Sequence, residues 1–353
     1  MSTYLITGGA GFIGSHVCEA LYREGHRIIN VDQFSDLYDY RLKIMNILES
    51  IGSKASFDFT VKSKDLERLS ERVNGSRYRL VIADIRNADS LSALFQEEKI
   101  DAVVHLAALP GVRASIDQPQ LFEAVNVQGT LNILEAMRGF GVRKWVCASS
   151  SSVYGNNRKV PFAEEDAVDR PISVYAANKK SCELLGYTYR HLYGIDTLML
   201  RFFTVYGERQ RPDLAIRKFA TRIDHGLELP FFGDGCTRRD YTYIGDIVNG
   251  IRQSIRYVEE HADVYEIVNL GGNRTVSLSE LVELLENELG KPAILNRLPL
   301  QPGDVHSTWA DLTKAQALLG YEPQTSIEEG IRKFIAWYRS DEHGRTVGRR
   351  TFI

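Results

Sequence analysis

Short apolar runs alternate with longer amphipathic stretches through the first half of the chain, and the runs stop at glycine, an acid or small residues. That rhythm predicts strands alternating with helices, and hence a parallel sheet wound on both faces. Tyr4-Leu5-Ile6-Thr7 reads as the first buried strand, followed by a glycine turn and a helix through about Arg23. Arg27 to Val31 reads as the second strand, ending at Asp32. From Gln33 to Arg79 the periodicity is poor and charge is dense, apart from a helical run around Tyr40 to Ile51. This predicts an elaborated connection lying over the sheet edge. Arg79 to Ile85 and Asp101 to Ala108 read as further strands, with a helix around Asn126 to Met137. The strand Lys144 to Ala148 then delivers Ser149-Ser150-Ser151-Ser152-Val153-Tyr154-Gly155.

A doubly wound sheet binds ligands beyond the carboxyl ends of its strands, so those ends carry the candidate chemistry. Gly8-Gly9-Ala10-Gly11-Phe12-Ile13-Gly14 follows the first strand and opens a helix, the arrangement of a dinucleotide site. Gly8 permits the tight turn, Gly11 lets a pyrophosphate approach the backbone, and Gly14 lets helix and strand pack closely; Phe12 and Ile13 line the same turn. Asp32 is placed to accept hydrogen bonds from ribose hydroxyls and to repel a 2′-phosphate, which favours NAD over NADP. Asp84, with Ile85 beside it, is placed to reach the adenine amino group. Leu106, Ala107 and Ala108 leave room for a flat cofactor, while His105 reads as a core histidine.

Tyr175 and Lys179 stand four apart in a helical stretch and so share one face. A tyrosine hydroxyl is a weak base unless a neighbouring cation stabilises its phenolate, and Lys179 is placed to be that cation. The four serines lie at the same rim of the sheet as this pair.

Composition removes several function classes. The 353 residues suffice for two lobes, and a net charge of -3 without a basic stripe argues against nucleic-acid binding. Only Arg345 to Arg350 are notably basic, and that tail reads as solvated. Cys18, Cys147, Cys182 and Cys236 are scattered without metal-ligand spacing, so no metal is expected and each reads as a small buried hydrophobe. No continuous apolar run is long enough to span a membrane, and the default location is a reducing cytoplasm.

Together the glycine turn, Asp32, the serine cluster and the Tyr175/Lys179 pair resemble the extended short-chain dehydrogenase/reductase family, specifically its nucleotide-sugar epimerases. The resemblance implies bound NAD, a homodimer, a nucleoside-diphosphate sugar substrate and a catalytic set of Ser150, Tyr175 and Lys179. Arg201-Phe202-Phe203-Thr204-Val205-Tyr206-Gly207, followed by Arg211-Pro212-Asp213, resembles a segment of UDP-glucuronate 4-epimerases. Arg211 suits a uronate carboxylate, because a planar guanidinium pairs with it in two-pronged geometry. The chain departs from that pattern at Glu208-Arg209-Gln210 and at Leu214, which leaves Arg209 as a rival carboxylate partner. Phe231 to Tyr241 resembles the uridine and diphosphate segment, with Arg239 at the phosphate position, and Gln301 to Val305 resembles an element closing over the nucleotide. The expected substrate contacts are Arg113, Ser151, Ser152, Thr204, Arg211, Arg239 and Asp304. Related dehydratases and decarboxylases carry an acid where Ser151 and Ser152 stand, so elimination chemistry lacks its proton donor here.

These readings predict an NAD-binding domain over 1–180, a mainly UDP-sugar-binding lobe over 181–340 with the chain crossing between lobes, and a tail over 341–353. The expected activity is C4 epimerisation of UDP-glucuronate to UDP-galacturonate. The rivals are a UDP-glucose/UDP-galactose-type 4-epimerase, a UDP-glucuronate decarboxylase and a non-catalytic NAD-dependent sensor on the same fold.

Overall fold

A computed structural model describes residues 1–53, 56–272, 274–299 and 307–340. Gln301 to Val305 and the basic tail lie outside these residues.

Seven parallel strands form the main sheet in the order β10-β6-β5-β4-β1-β2-β3. They are β1 (Thr3–Thr7), β2 (Arg27–Asp32), β3 (Tyr78–Ile82), β4 (Ala102–His105), β5 (Lys144–Ser150), β6 (Asp196–Phe202) and β10 (Tyr265–Leu270). Every pairing is parallel, so each strand needs a crossover, and helices cover both faces. The alternation is visible residue by residue. Tyr4 and Ile6 enter the core on one face while Leu5 enters the other; likewise Val146 and Ala148 oppose Trp145 and Cys147. Because both faces are buried, these strands read as apolar runs rather than as alternating ones.

The strand order reverses between β1 and β4, which opens a crevice at their carboxyl ends. Smaller sheets stand beyond that crevice. β7 (Thr204–Tyr206), β9 (Arg238–Tyr243) and β11 (Thr275–Ser277) form one, and β8 (Glu228–Phe232) pairs with β12 (Ile294–Leu298) in another. A separate core beneath them gathers Phe219, Leu229, Phe231, Leu285 and Phe334. The chain returns from these elements to the main sheet through β10 and the helix Ile244–Glu260.

The charged stretch after Asp32 holds the helix expected around Tyr40 to Ile51 and a second one that the periodicity did not announce. It folds into helices Tyr40–Ser50 and Lys62–Val73, which pack into the same core as β1 and β2. Leu66, Leu69 and Val73 form a narrow buried stripe that the surrounding charges obscure. Asp65, fully buried, accepts hydrogen bonds from Tyr40, Thr60 and Arg68 and so anchors the start of that helix. Cys236 is exposed, whereas Cys18, Cys147 and Cys182 are buried. No described helix is long and apolar enough to cross a membrane.

Candidate active site

The glycine turn stands at the mouth of the crevice. Gly8 has φ of +72°, and a Cβ there would meet the Ala107 backbone nitrogen at 2.9 Å. A Cβ on Gly14 would lie 2.1 Å from the Gly8 carbonyl oxygen, so the turn and the helix Phe12–Arg23 close only because both positions lack side chains. Gly8, Gly11, Phe12, Ile13 and Gly14 all line the resulting cleft, with the helix N-terminus facing it.

Asp32, at the end of β2, also lines the cleft and is almost fully buried. Its carboxylate accepts hydrogen bonds from the Ala10 and Phe34 amides at 3.2 and 2.8 Å and from Lys43 Nζ at 3.1 Å. Lys43, buried on the helix Tyr40–Ser50, is a cleft residue that sequence reasoning missed. Its signal was a lysine flanked by Leu42 and Ile44 in an apolar helical run. Tyr38 was missed as well; Lys43 Nζ lies 5.4 Å from its ring, and its buried hydroxyl has no hydrogen-bond partner among the described residues.

Asp84 follows the third strand of the sheet. β3 ends at Ile82, and the Asp84 carboxylate turns to the Arg86 guanidinium at 2.6 Å. A charge-assisted fork two residues away takes both of its oxygens, and the neighbours Ala83 and Ile85 line the cleft instead. Leu106, Ala107 and Ala108 follow β4 along the same wall. His105 lies between Thr7 Oγ1 at 2.8 Å and Thr130 Oγ1 at 3.0 Å. Burial, reinforced by the Lys179 charge, pushes its pKa down to about 3, so it is a neutral core histidine.

Tyr175 and Lys179 lie on the helix Val174–Tyr193, capped by Ser173, whose side chain accepts from the Ala176 amide. Lys179 Nζ lies 6.0 Å from the Tyr175 ring centroid and donates to the Ala148 carbonyl oxygen at 2.8 Å. Burial opposes its charge, but Tyr175, Cys182, Cys147 and Glu183 outweigh it and hold the ammonium above its ordinary pKa. Ser150, last residue of β5, caps the short 3₁₀ turn Ser151–Tyr154 and donates through Oγ to Ser152 Oγ at 3.1 Å. Ser150, Tyr175 and Lys179 line the cleft together.

Beneath this group lies a buried brace that the sequence did not announce. Glu183 accepts from Ser149 Oγ at 2.7 Å and from Arg201 Nε and Nη2 at 2.8 and 2.9 Å, and Arg201 Nη1 reaches the Tyr154 hydroxyl at 3.0 Å. Burial opposes the Glu183 charge, yet Arg201 and Ser149 hold its carboxyl below the usual range. The available signal was spacing: Glu183 stands four residues after Lys179, on the same helical face.

A second cavity opens from the first, sharing Leu37, Pro110, Thr204 and Arg211 with it. Arg113, Ser151, Ser152 and Arg239 line it, so six of the expected substrate contacts are gathered at one place: these four with Thr204 and Arg211. Asp304 lies outside the described residues. Arg113 stacks its guanidinium 5.7 Å from the Phe232 ring. Arg239 Nη1 donates to the Arg238 carbonyl oxygen at 2.9 Å.

The structure separates the two rival arginines. Arg209 is buried, has φ of +58°, and turns to Glu19 and Glu49 on the helices Phe12–Arg23 and Tyr40–Ser50. It lines neither cavity. Arg211 lines both. Burial works against its charge, but Asp213, with Tyr38 and Tyr175 nearby, keeps its pKa above the ordinary value.

The site thus combines a glycine-floored cleft, an acid at the end of β2, a Ser/Tyr/Lys group in the cleft wall, and an arginine-lined pocket beyond. Comparisons with known proteins point the same way. A UDP-glucuronate 4-epimerase of Thermodesulfobacterium geofontis is 42% identical over 342 residues, covering 97% of each chain. A probable UDP-glucuronate 4-epimerase of Rhizobium meliloti is 37% identical, covering 95% of this chain and 96% of that one. Among solved structures, a UDP-glucuronic acid 4-epimerase from Bacillus cereus, crystallised with UDP-glucuronic acid and NAD, superposes with a TM-score of 0.83. It is 34% identical, with 96% of this chain and 99% of that chain covered. A UDP-glucose 4-epimerase from Thermotoga maritima superposes with a TM-score of 0.80 at 30% identity, covering 96% and 99%. The family model described as GDP-mannose 4,6 dehydratase matches residues 5–334, and the chain belongs to that family of extended short-chain dehydrogenases/reductases.

Proposed function

We propose that the protein is an NAD-dependent isomerase that inverts C4 of a UDP-linked uronic acid, converting UDP-glucuronate to UDP-galacturonate. One observation carries the substrate assignment. Arg211 lies where the Ser150/Tyr175/Lys179 cleft meets the pocket of Ser151, Ser152 and Thr204, while Arg209 is tied away to two glutamates. A guanidinium there matches a carboxylate on the sugar, and a neutral C6 hydroxyl would use it poorly. The relatives named UDP-glucuronate 4-epimerase support the same reading.

The cleft fits NAD: its floor admits no Cβ at Gly8 or Gly14, Asp32 and Lys43 stand ready for ribose hydroxyls, and Ala107 and Ala108 keep its wall thin. When bound, NAD supplies reversible hydride acceptance from C4. Tyr175 as phenolate removes the O4 proton, and Ser150 hydrogen-bonds O4 and orients that transfer. Lys179 stabilises the phenolate from the same helical face. Arg211, with Thr204, Ser151 and Ser152, holds the carboxylate while the 4-keto sugar turns its other face to the cleft. Because that keto sugar is a β-keto acid, a fixed carboxylate also keeps the bond to C5 out of the alignment that loss of CO2 requires.

The same proposal takes residues 1–180 as the NAD-binding domain, with the later segments that do not return to the main sheet forming the UDP-sugar lobe. It includes a cytoplasmic homodimer. Exposed Leu184, Tyr187 and Leu192 on the helix Val174–Tyr193 support a second copy packing there, and the four unpaired cysteines suit a reducing compartment.

The test is an NMR time course of the purified protein with UDP-glucuronate and, separately, with UDP-glucose, adding no cofactor. Galacturonate signals from the acid alone are expected. Galactose signals from the neutral sugar alone would transfer the assignment to the hexose epimerase, and a pentose product to the decarboxylase.

A further inference from the structure

Arg211 is not presented to the sugar pocket by itself. Two residues on, across Pro212, the Asp213 carboxylate takes its Nε at 3.0 Å and one Nη2 hydrogen at 2.6 Å. A guanidinium has two edges that accept a carboxylate in two-pronged fashion, one built on Nε and Nη2, the other on Nη1 and Nη2. Asp213 occupies the first. Nη1 makes no hydrogen bond to a described residue, and Arg211 lines both cavities. Asp213 is also the one acid among the described residues lining the sugar pocket.

From this we infer that Asp213 is a positioning residue for uronate recognition: it grips the inner edge of Arg211 and turns the outer edge toward the substrate carboxylate. The inference rests on the uronate reading and deepens it. Two effects oppose each other at Asp213. Its charge repels an incoming carboxylate, and its grip removes rotamer freedom that the long arginine side chain would otherwise lose on binding substrate. Exposure decides between them. The Asp213 side chain is 50% exposed and its repulsion is screened by water, whereas the Arg211 side chain is only 12% exposed and its orientation is set by the partner it has. Pro212 strengthens the grip by fixing one backbone angle of the short connection between the two side chains.

The experiment compares full-length wild type with Asp213→Ala and Asp213→Asn. KM and kcat are measured with UDP-glucuronate, the Kd of UDP alone by calorimetry, and bound NAD by absorbance after denaturation. The alanine variant is expected to raise KM for UDP-glucuronate about tenfold, with kcat falling less than KM rises. Asparagine keeps one acceptor for the guanidinium, so its rise is expected to be smaller. UDP affinity and bound NAD should stay at wild-type values, since neither involves the uronate carboxylate. An unchanged or lowered KM in Asp213→Ala would make Asp213 a bystander or a competitor and overturn the inference. A parallel loss of UDP affinity would also overturn it, by showing general damage to the loop. Failure of the substrate reading looks different: the wild type itself would leave UDP-glucuronate untouched.

Discussion

Lys179 donates through Nζ to the carbonyl oxygen of Ala148 at 2.8 Å, which pins the helix carrying Tyr175 to the strand end carrying Ser150. One buried side chain therefore does two things: it supplies charge beside the tyrosine, and it sets the spacing between tyrosine and serine.

Lys179→Met keeps the volume of that side chain and removes both the bond and the charge. Turnover is expected to fall about 10²- to 10⁴-fold, the range of a positioned proton transfer. Tyr175→Phe should lose a similar factor while keeping its bound NAD. NMR product formation measures the first quantity and absorbance of the denatured protein the second; NAD loss matching the activity loss in Tyr175→Phe would make the tyrosine a cofactor contact only.

Lys43 and Asp32 form a buried ion pair at the cofactor cleft, with side chains only 7% and 6% exposed. Removing one partner leaves the other charge buried and uncompensated. Lys43→Met is expected to destabilise the protein by about 3 kcal/mol and to lower the NAD content of the purified protein. Urea denaturation and cofactor stoichiometry check this, and an unaltered midpoint would show that Asp32 finds enough compensation in the Ala10 and Phe34 amides.

Glu98 bridges Arg27 on β2 and Arg79 on β3, and it is nearly buried. The hydrogen bond from Arg27, then that from Arg79, brings its pKa down from 4.5 to about 2 against the opposing effect of burial. The acid is depressed in the folded state, so its contribution is full above about 4.5 and is lost as pH falls toward about 2. That interval corresponds to roughly 3 kcal/mol. Glu98→Gln should therefore unfold at lower urea than wild type at pH 7, with the gap closing toward pH 3. A gap independent of pH would assign the loss to packing.

Gly14→Ala places a methyl group 2.1 Å from the Gly8 carbonyl oxygen, against backbone that cannot yield as a side chain would. The helix must shift out of the turn, so the variant is expected to lose most of its bound NAD and at least ~2 kcal/mol of stability. Wild-type NAD content and thermal midpoint in this variant would contradict the close packing of the turn.

The main sheet and the residues gathered at the cleft were legible because each carries a local signal: an apolar run, a glycine repeat, a Tyr/Lys pair at helical spacing. The helix Lys62–Val73 was not, since its stripe of Leu66, Leu69 and Val73 is narrow and its anchor is a buried acid, Asp65, that looks like surface charge in a sequence. Asp84 has a partner that the sequence reading did not weigh. Position after a strand suggests a cleft residue, but Arg86 two residues on supplies a stronger partner.

By itself, the sequence determined which apolar runs form the strands, that a glycine turn precedes a helix, and that Tyr175 and Lys179 share a face, because those properties depend on neighbours a few residues apart. Tertiary structure decided which charges face the cleft. Arg209 and Arg211 are two residues apart and chemically identical, yet Glu19 and Glu49, distant in the chain, draw one into the protein while Asp213 holds the other at the pocket. Glu183 and Arg201, and likewise Asp32 and Lys43, became partners only when the sheet and its helices packed. A buried charge takes the nearest opposite charge in space, and nearness in space is set by the fold.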